Sequence, residues 1–153
     1  MVNMVCLLVI FFLLSSPACL RATNSDSRTG KVNYVPVQFL YTSIDPDDLT
    51  ALYAAADVCF VSSTRDGMNL VCYEFIACHS NNAIMSAREA MPPGSLVLSK
   101  FTGAATLLDG ALIVNPWDKE SCASALAHAL SMDPADAAAR MSALASKVEQ
   151  QTR

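Results

Sequence analysis

The chain has 153 residues, 53% of them hydrophobic and 16% charged, with a formal net charge of −4 and a pI near 4.9. That length allows one domain at most, with a modest core. An acidic balance without a basic stripe argues against nucleic acid as a partner, and a charged share below the roughly 25% usual for soluble domains points to surface that something else covers, or to lost polar segments.

Residues 1–22 form an apolar leader. Its centre, Val5 to Leu14, is followed by Ser15-Ser16-Pro17-Ala18, the pattern of a signal-peptide core and cleavage zone. It is too short to span a bilayer, which takes about 20 apolar residues. Its first residues carry no Lys or Arg, a departure from the usual signal pattern. A polar linker occupies 23–31.

From residue 32 to 153 the elements alternate as βαβα. Val35 to Tyr41 reads as a strand. Asp45 as N-cap, Pro46 at the first position and Asp47-Asp48 in the first turn predict a helix that continues through Leu49, Leu52 and Tyr53 to Ala56. Asp57 to Ser62 is a strand and Asn69 to Cys78 a helix. The connection His79 to Pro93 contains Asn81-Asn82, Met85 and Pro92-Pro93. Leu96 to Ser99 and Leu112 to Val114 are short apolar strands, and such runs suit strands covered on both faces of a parallel sheet. Two helices close the pattern, Asp118 to Met132 and an alanine-rich one from Pro134 to about Gln150. The fold class is α/β, a partial Rossmann-like parallel sheet with flanking helices.

The six cysteines, Cys6, Cys19, Cys59, Cys72, Cys78 and Cys122, show no CxxC pairing and no metal-like spacing with His79 or His128. Cys59 on a strand, with Cys72 and Cys78 on one helix, read as reduced and buried small hydrophobes. His128 belongs on a helix surface. No Cys/His or Ser/His/Asp arrangement for nucleophilic catalysis is present, and no metal or cofactor site is predicted.

The stretch Ser62 to Phe75 carries most of the functional signal. A strand ends in small polar residues, a turn with one glycine follows, and a helix begins. Open α/β sheets bind ligands there, outside the carboxyl ends of their strands. Backbone N–H groups around Met68, Asn69, Leu70 and Val71 make an anion site at the helix start. Gly67 admits a close ligand or an unusual backbone conformation. Asp66 at the loop tip can accept hydrogen bonds from sugar hydroxyls, and Glu74 can point back to the same crevice. A nucleotide sugar suits this set. The plainer reading makes Asp66 and Asn69 helix caps and leaves Glu74 solvated.

Thr64-Arg65-Asp66-Gly67-Met68-Asn69-Leu70-Val71-Cys72-Tyr73-Glu74-Phe75-Ile76-Ala77-Cys78 closely resembles the donor-site motif of trehalose-6-phosphate synthases, retaining glycosyltransferases with two Rossmann-like domains. Further matches follow the family's order: Asn33 to Val37, Leu52 to Cys59, Gly94 to Ala105 and Ala111 to Trp117. Together they cover most of Arg28 to Met132, and the wording, with Tyr73 and Asn115-Pro116-Trp117, looks most like the fungal and plant branch. The resemblance makes 32–153 the carboxyl-terminal, donor-binding half-domain of a GT-B glycosyltransferase.

The resemblance implies transfer of glucose from UDP-glucose to glucose 6-phosphate with retained configuration, without a metal or a cofactor beyond the donor substrate. Asp66 would bind glucose hydroxyls and Gly67, Met68 and Asn69 would line the sugar through their backbone. The N–H groups of Leu70 and Val71 would face the diphosphate, and Glu74 would hold the ribose. The family's diphosphate-neutralising basic pair and its acceptor domain have no counterpart in these residues, so the isolated chain is expected to be inactive. Lys100 stands where this branch has an acid, and 79–93 reads as an insertion beside the site. The leader is then either a genuine secretory signal or foreign sequence joined by rearrangement or a faulty gene model. The resemblance favours the second and a cytoplasmic location. The alternatives are a non-catalytic, regulatory subunit fragment of a trehalose synthase complex, and a secreted small protein.

Overall fold

The computed structural model describes residues 44–86 and 93–151. The leader 1–22, the linker 23–31 and the expected strand Val35 to Tyr41 lie outside them. Helix α1 (Pro46–Ala55) starts where the sequence places it, with Pro46 at its head and Asp47 and Asp48 in its first turn. Asp45 is the N-cap residue but its side chain bonds no helix amide. The acids there act through the positive end of the helix dipole.

Three parallel strands follow in the order β1 (Val58–Val61), β2 (Ser95–Ser99) and β3 (Leu112–Val114). Phe60 pairs with Val97, and Leu98 with Ile113. Helix α2 (Leu70–Ser80) and the short α3 (Asn82–Met85) lie between β1 and β2, and a 3₁₀ turn at Gly103–Thr106 lies between β2 and β3. Helices α4 (Lys119–Ser131) and α5 (Pro134–Gln151) complete the described chain.

The period-2 alternation of strand side chains explains why the apolar runs are unbroken. Cys59, Val61, Leu96 and Leu98 face one side and pack on Tyr53 of α1, on Cys72, Phe75 and Ile76 of α2, and on Met141 and Leu144 of α5. Val58, Phe60, Val97 and Val114 face the other and meet Cys122, Ala125, Leu126 and Ala129 of α4. Both faces of β1 and β2 are covered, as parallel sheets require. The expectation fails at the edge strand β3, where Ile113 is exposed because no described element packs over it. Boundaries differ from expectation only at the ends. Ser95 joins β2 because its N–H donates to the Asp57 carbonyl at 2.8 Å, and Asn69 caps α2 from outside it.

The crossover from α2 to β2 is anchored by His79, which is only 4% exposed. The Gly94 N–H donates to Nδ1 at 2.9 Å. Nδ1 is therefore the acceptor, and Nε2 carries the proton that meets the Tyr53 carbonyl at 2.9 Å. Its ring lies 4.3 Å from that of Phe75. Gly94 is needed for close approach, since a Cβ there would sit 2.8 Å from the Phe75 ring and 2.9 Å from the Ala56 carbonyl oxygen.

Two substitutions test this joint. Gly94→Ala forces overpacking worth about 1–3 kcal/mol. His79→Phe strands two buried backbone groups, at about 1–3 kcal/mol each. Urea unfolding should show a lower midpoint for both, and midpoints equal to the unsubstituted chain would contradict the assignment.

Candidate functional site

The loops leaving β1 and β2 are tied together at the carboxyl end of the sheet. Asp66 and Thr102 form a parallel bridge, and the Gly103 N–H donates to the Gly67 carbonyl at 2.8 Å. A Cβ on Gly103 would lie 2.6 Å from that same oxygen, so only glycine permits the contact. The buried Thr102 is fixed in turn by its Oγ1 donating to the Ser99 carbonyl at 2.9 Å. The position of an added Cβ on Gly67, by contrast, has no atom within 4 Å, and its φ is not in the left-handed region. Of the two roles the sequence left open for Gly67, the unusual backbone conformation is not seen, and the space beside its Cα is open.

Asn69 is 4% exposed and both ends of its amide are used. Its Oδ1 accepts from the Cys72 N–H at 3.3 Å, which caps α2, and its Nδ2 donates to Asp66 Oδ2 at 2.7 Å. Asp66 Oδ1 has no hydrogen-bond partner among the described residues. The capping reading thus holds for Asn69, while Asp66 grips the cap instead of a helix amide. In the first turn of α2 the N–H groups of Leu70 and Val71 have no intrahelical acceptor. Met68 and Leu70 project exposed apolar side chains beside them.

Glu74 lies exposed one turn further along α2, and its Oε2 accepts from the Tyr53 hydroxyl at 3.0 Å. Burial foremost, and then the Glu74 carboxylate, pushes the Tyr53 phenol above its usual range, so the phenol keeps its proton. Asp66, Gly67, Met68, Asn69, Leu70, Val71 and Glu74 therefore lie on one loop and the first two turns of one helix. Sequence reasoning missed Tyr53, Thr102 and Gly103. A glycine four residues past the end of β2 was the available signal for the last of these.

Cys59, Cys72 and Cys78 are buried and free, as expected. Burial pushes the Cys59 and Cys72 thiols up to about 12, and Cys72 Sγ lies 2.8 Å from the Asn69 carbonyl. His128 is on an exposed helix surface, also as expected. Among the described residues no group of three or more His, Cys, Asp or Glu could hold a metal ion, and no helix is long and apolar enough to cross a membrane.

The family model "Glycosyltransferase family 20" matches residues 21–153. The alpha,alpha-trehalose-phosphate synthase [UDP-forming] of Yarrowia lipolytica is 51% identical over 105 residues, covering 69% of this chain and 20% of its own length. An E. coli structure, described as trehalose-6-phosphate bound with UDP-2-fluoro glucose, superposes with a TM-score of 0.69 at 36% identity, over 79% of this chain and 25% of that one. The alpha,alpha-trehalose-phosphate synthase (UDP-forming) of Burkholderia xenovorans, in complex with glucose-6-phosphate, gives 0.68 and 39% over 79% and 24%. The chain belongs to glycosyltransferase family 20, and its α/β parallel sheet is that of the GT-B trehalose-6-phosphate synthases. It spans about a fifth of the length of the curated relatives it matches.

The thiol environments give a direct check. Raised folded-state values leave Cys59 and Cys72 protonated near pH 8 and sheltered, so iodoacetamide followed by peptide mass mapping should label the half-buried Cys122 before either. The same shifts set an alkaline limit: their stabilisation is complete below pH 9 and lost as pH rises from 9 towards about 12, because the unfolded thiols ionise first. Rapid labelling of Cys59 in folded protein would overturn this account.

Proposed function

We propose that the chain binds UDP-glucose and serves as the donor half of an alpha,alpha-trehalose-phosphate synthase, which transfers glucose to glucose 6-phosphate with retention. The observation that carries this reading is the fixed Asp66–Gly67 loop, tied to Thr102–Gly103 beside the open amides of α2. Asp66 Oδ1 accepts from glucose hydroxyls while Oδ2 stays on Asn69. Gly67 leaves room for the sugar, which the backbone of Met68 and Asn69 lines. The Leu70 and Val71 N–H groups, at the positive end of the helix, receive the diphosphate. Glu74 holds the ribose through the oxygen that Tyr53 leaves free. The chemistry rests on positioning and on stabilising the departing diphosphate.

The relatives' names support the substrates: one structure carries UDP-2-fluoro glucose and another glucose-6-phosphate. A reaction on sugar nucleotides supports a cytoplasmic location. Ile113 within β3 is exposed, Trp117 just after it is 73% exposed, and the strand's other edge is unpaired among the described residues. They support contact with further protein, including other subunits of a trehalose synthase complex.

By themselves these 153 residues should yield no trehalose 6-phosphate from UDP-glucose and glucose 6-phosphate. Joined to the remaining portion of the Yarrowia lipolytica synthase, they should yield it. In that chimera Asp66→Ala should mainly lower kcat, and Glu74→Ala mainly raise the donor KM, each by roughly 10- to 150-fold for a charged hydrogen bond of about 1.5–3 kcal/mol. Steady-state kinetics with melting temperatures decide the matter. Normal constants in both variants, with only the melting temperature of Asp66→Ala lowered, would return these residues to a capping role.

A further inference from the structure

We propose that Tyr53 is the positioning residue for Glu74: it donates its phenolic proton to Oε2 and so presents Oε1 to the crevice at the head of α2. The two residues are 21 apart in sequence and sit on different helices, so no local preference of α2 brings them together. A glutamate on an exposed helix face ordinarily samples several rotamers, and fixing one costs conformational entropy that a bound ligand would otherwise have to supply. Here the fixing is done in advance, from the core side.

Tyr53 is suited to that task because it is itself immobilised. It is 2% exposed, its ring meets Phe75 edge-on at 6.4 Å, and its carbonyl is bonded to His79 at 2.9 Å. The whole of its ring belongs to the core cluster, and only its hydroxyl reaches the site. Burial and the adjacent carboxylate keep the proton on the phenol, so the direction of donation does not change with pH near neutrality. A hydroxyl on so buried a residue must find an acceptor, and the one it finds is on α2. Its single donor goes to the Glu74 carboxylate, whose other oxygen is left for a ligand.

The inference rests on the donor-site reading for its ligand, but the orientation of Glu74 can be measured without one. Tyr53→Phe keeps the ring and removes the hydroxyl. In the 153-residue chain with ¹³C-labelled glutamate, Glu74 side-chain couplings should show one dominant rotamer, and averaging in Tyr53→Phe. Titration calorimetry with UDP-glucose should then show about three- to tenfold weaker binding for Tyr53→Phe, the range expected for one hydrogen bond acting through orientation. Tyr53→Phe added to Glu74→Ala should weaken binding no further. A purely structural hydroxyl would move the melting temperature but neither of these.

An unchanged rotamer in Tyr53→Phe overturns the proposal, whatever the ligand does, and so does unchanged affinity in a chain that binds UDP-glucose. Averaging in Tyr53→Phe together with no UDP-glucose binding by the unsubstituted chain overturns the donor reading instead and upholds Tyr53 as the residue that orients Glu74. Should Tyr53→Phe fail to fold, the exposed Glu74→Gln substitution answers the question through the ¹³C shift of Tyr53 Cζ. That shift should move on loss of the charged acceptor, and a shift identical to the unsubstituted chain overturns the proposal.

Discussion

The amide of Gly103, bonded to the carbonyl of Gly67, is the constraint on which the site depends. It joins the loop after β1 to the loop after β2, and it exists only because residue 103 has no Cβ. Once the loops are joined, the backbone of Asp66 has nowhere to move. Asn69 then closes a second circuit, from Asp66 Oδ2 through one amide to the first turn of α2. Loop tip and helix head become a single rigid unit, although loops usually are the mobile parts of such sheets.

Rigidity of that kind would matter for the donor site proposed above, whose contacts would be few and polar. A carboxylate free to rotate loses much of each hydrogen bond to ordering, whereas one already held by a neighbour loses little. The two carboxylates of the site are each held at one oxygen by a neutral donor, Asp66 by an amide and Glu74 by a phenol. Neutral donors orient a carboxylate without cancelling its charge. Cationic partners in the same places would hold it as well, but would neutralise the charge that a neutral donor leaves intact.

The parts legible in the sequence were those decided locally. Pro46 behind Asp45 marks a helix start because proline tolerates only that position. The runs Val58–Val61 and Leu96–Leu98 read as doubly covered strands because each residue alone is apolar enough to be buried on either face. Asn69 could be named as a cap from its place before an apolar run. Its second bond could not be read, because nothing in Asp66-Gly67-Met68-Asn69 fixes the loop until Thr102 and Gly103 arrive from the next strand. The same limit hid His79 and Tyr53. Histidine is compatible with surface and core alike, and the partners of this one are 26 residues back and 15 ahead. Tyr53 was legible only as a residue of the first helix, and the folded topology alone shows that it is buried and that its hydroxyl emerges beside Glu74.

Core and site are thus not separate here. Tyr53 packs on Phe75, Phe75 meets the His79 ring at a tilt, and His79 returns to the Tyr53 carbonyl, so three side chains form a closed set between α1 and α2. The same set sets the depth of α2 against the sheet, because Gly94 at the entry to β2 touches both Phe75 and His79. A shift of α2 by a fraction of an ångström would move the Leu70 and Val71 amides and the Glu74 carboxylate together, since all three ride on one helix. Packing at the far end of α2 therefore governs geometry at its head. The connection from His79 to Gly94, which the sequence reads as an insertion, is pinned at both ends by a single imidazole. Extra residues between two such fixed points can vary without displacing the helix, because closing a longer loop costs only slightly more entropy.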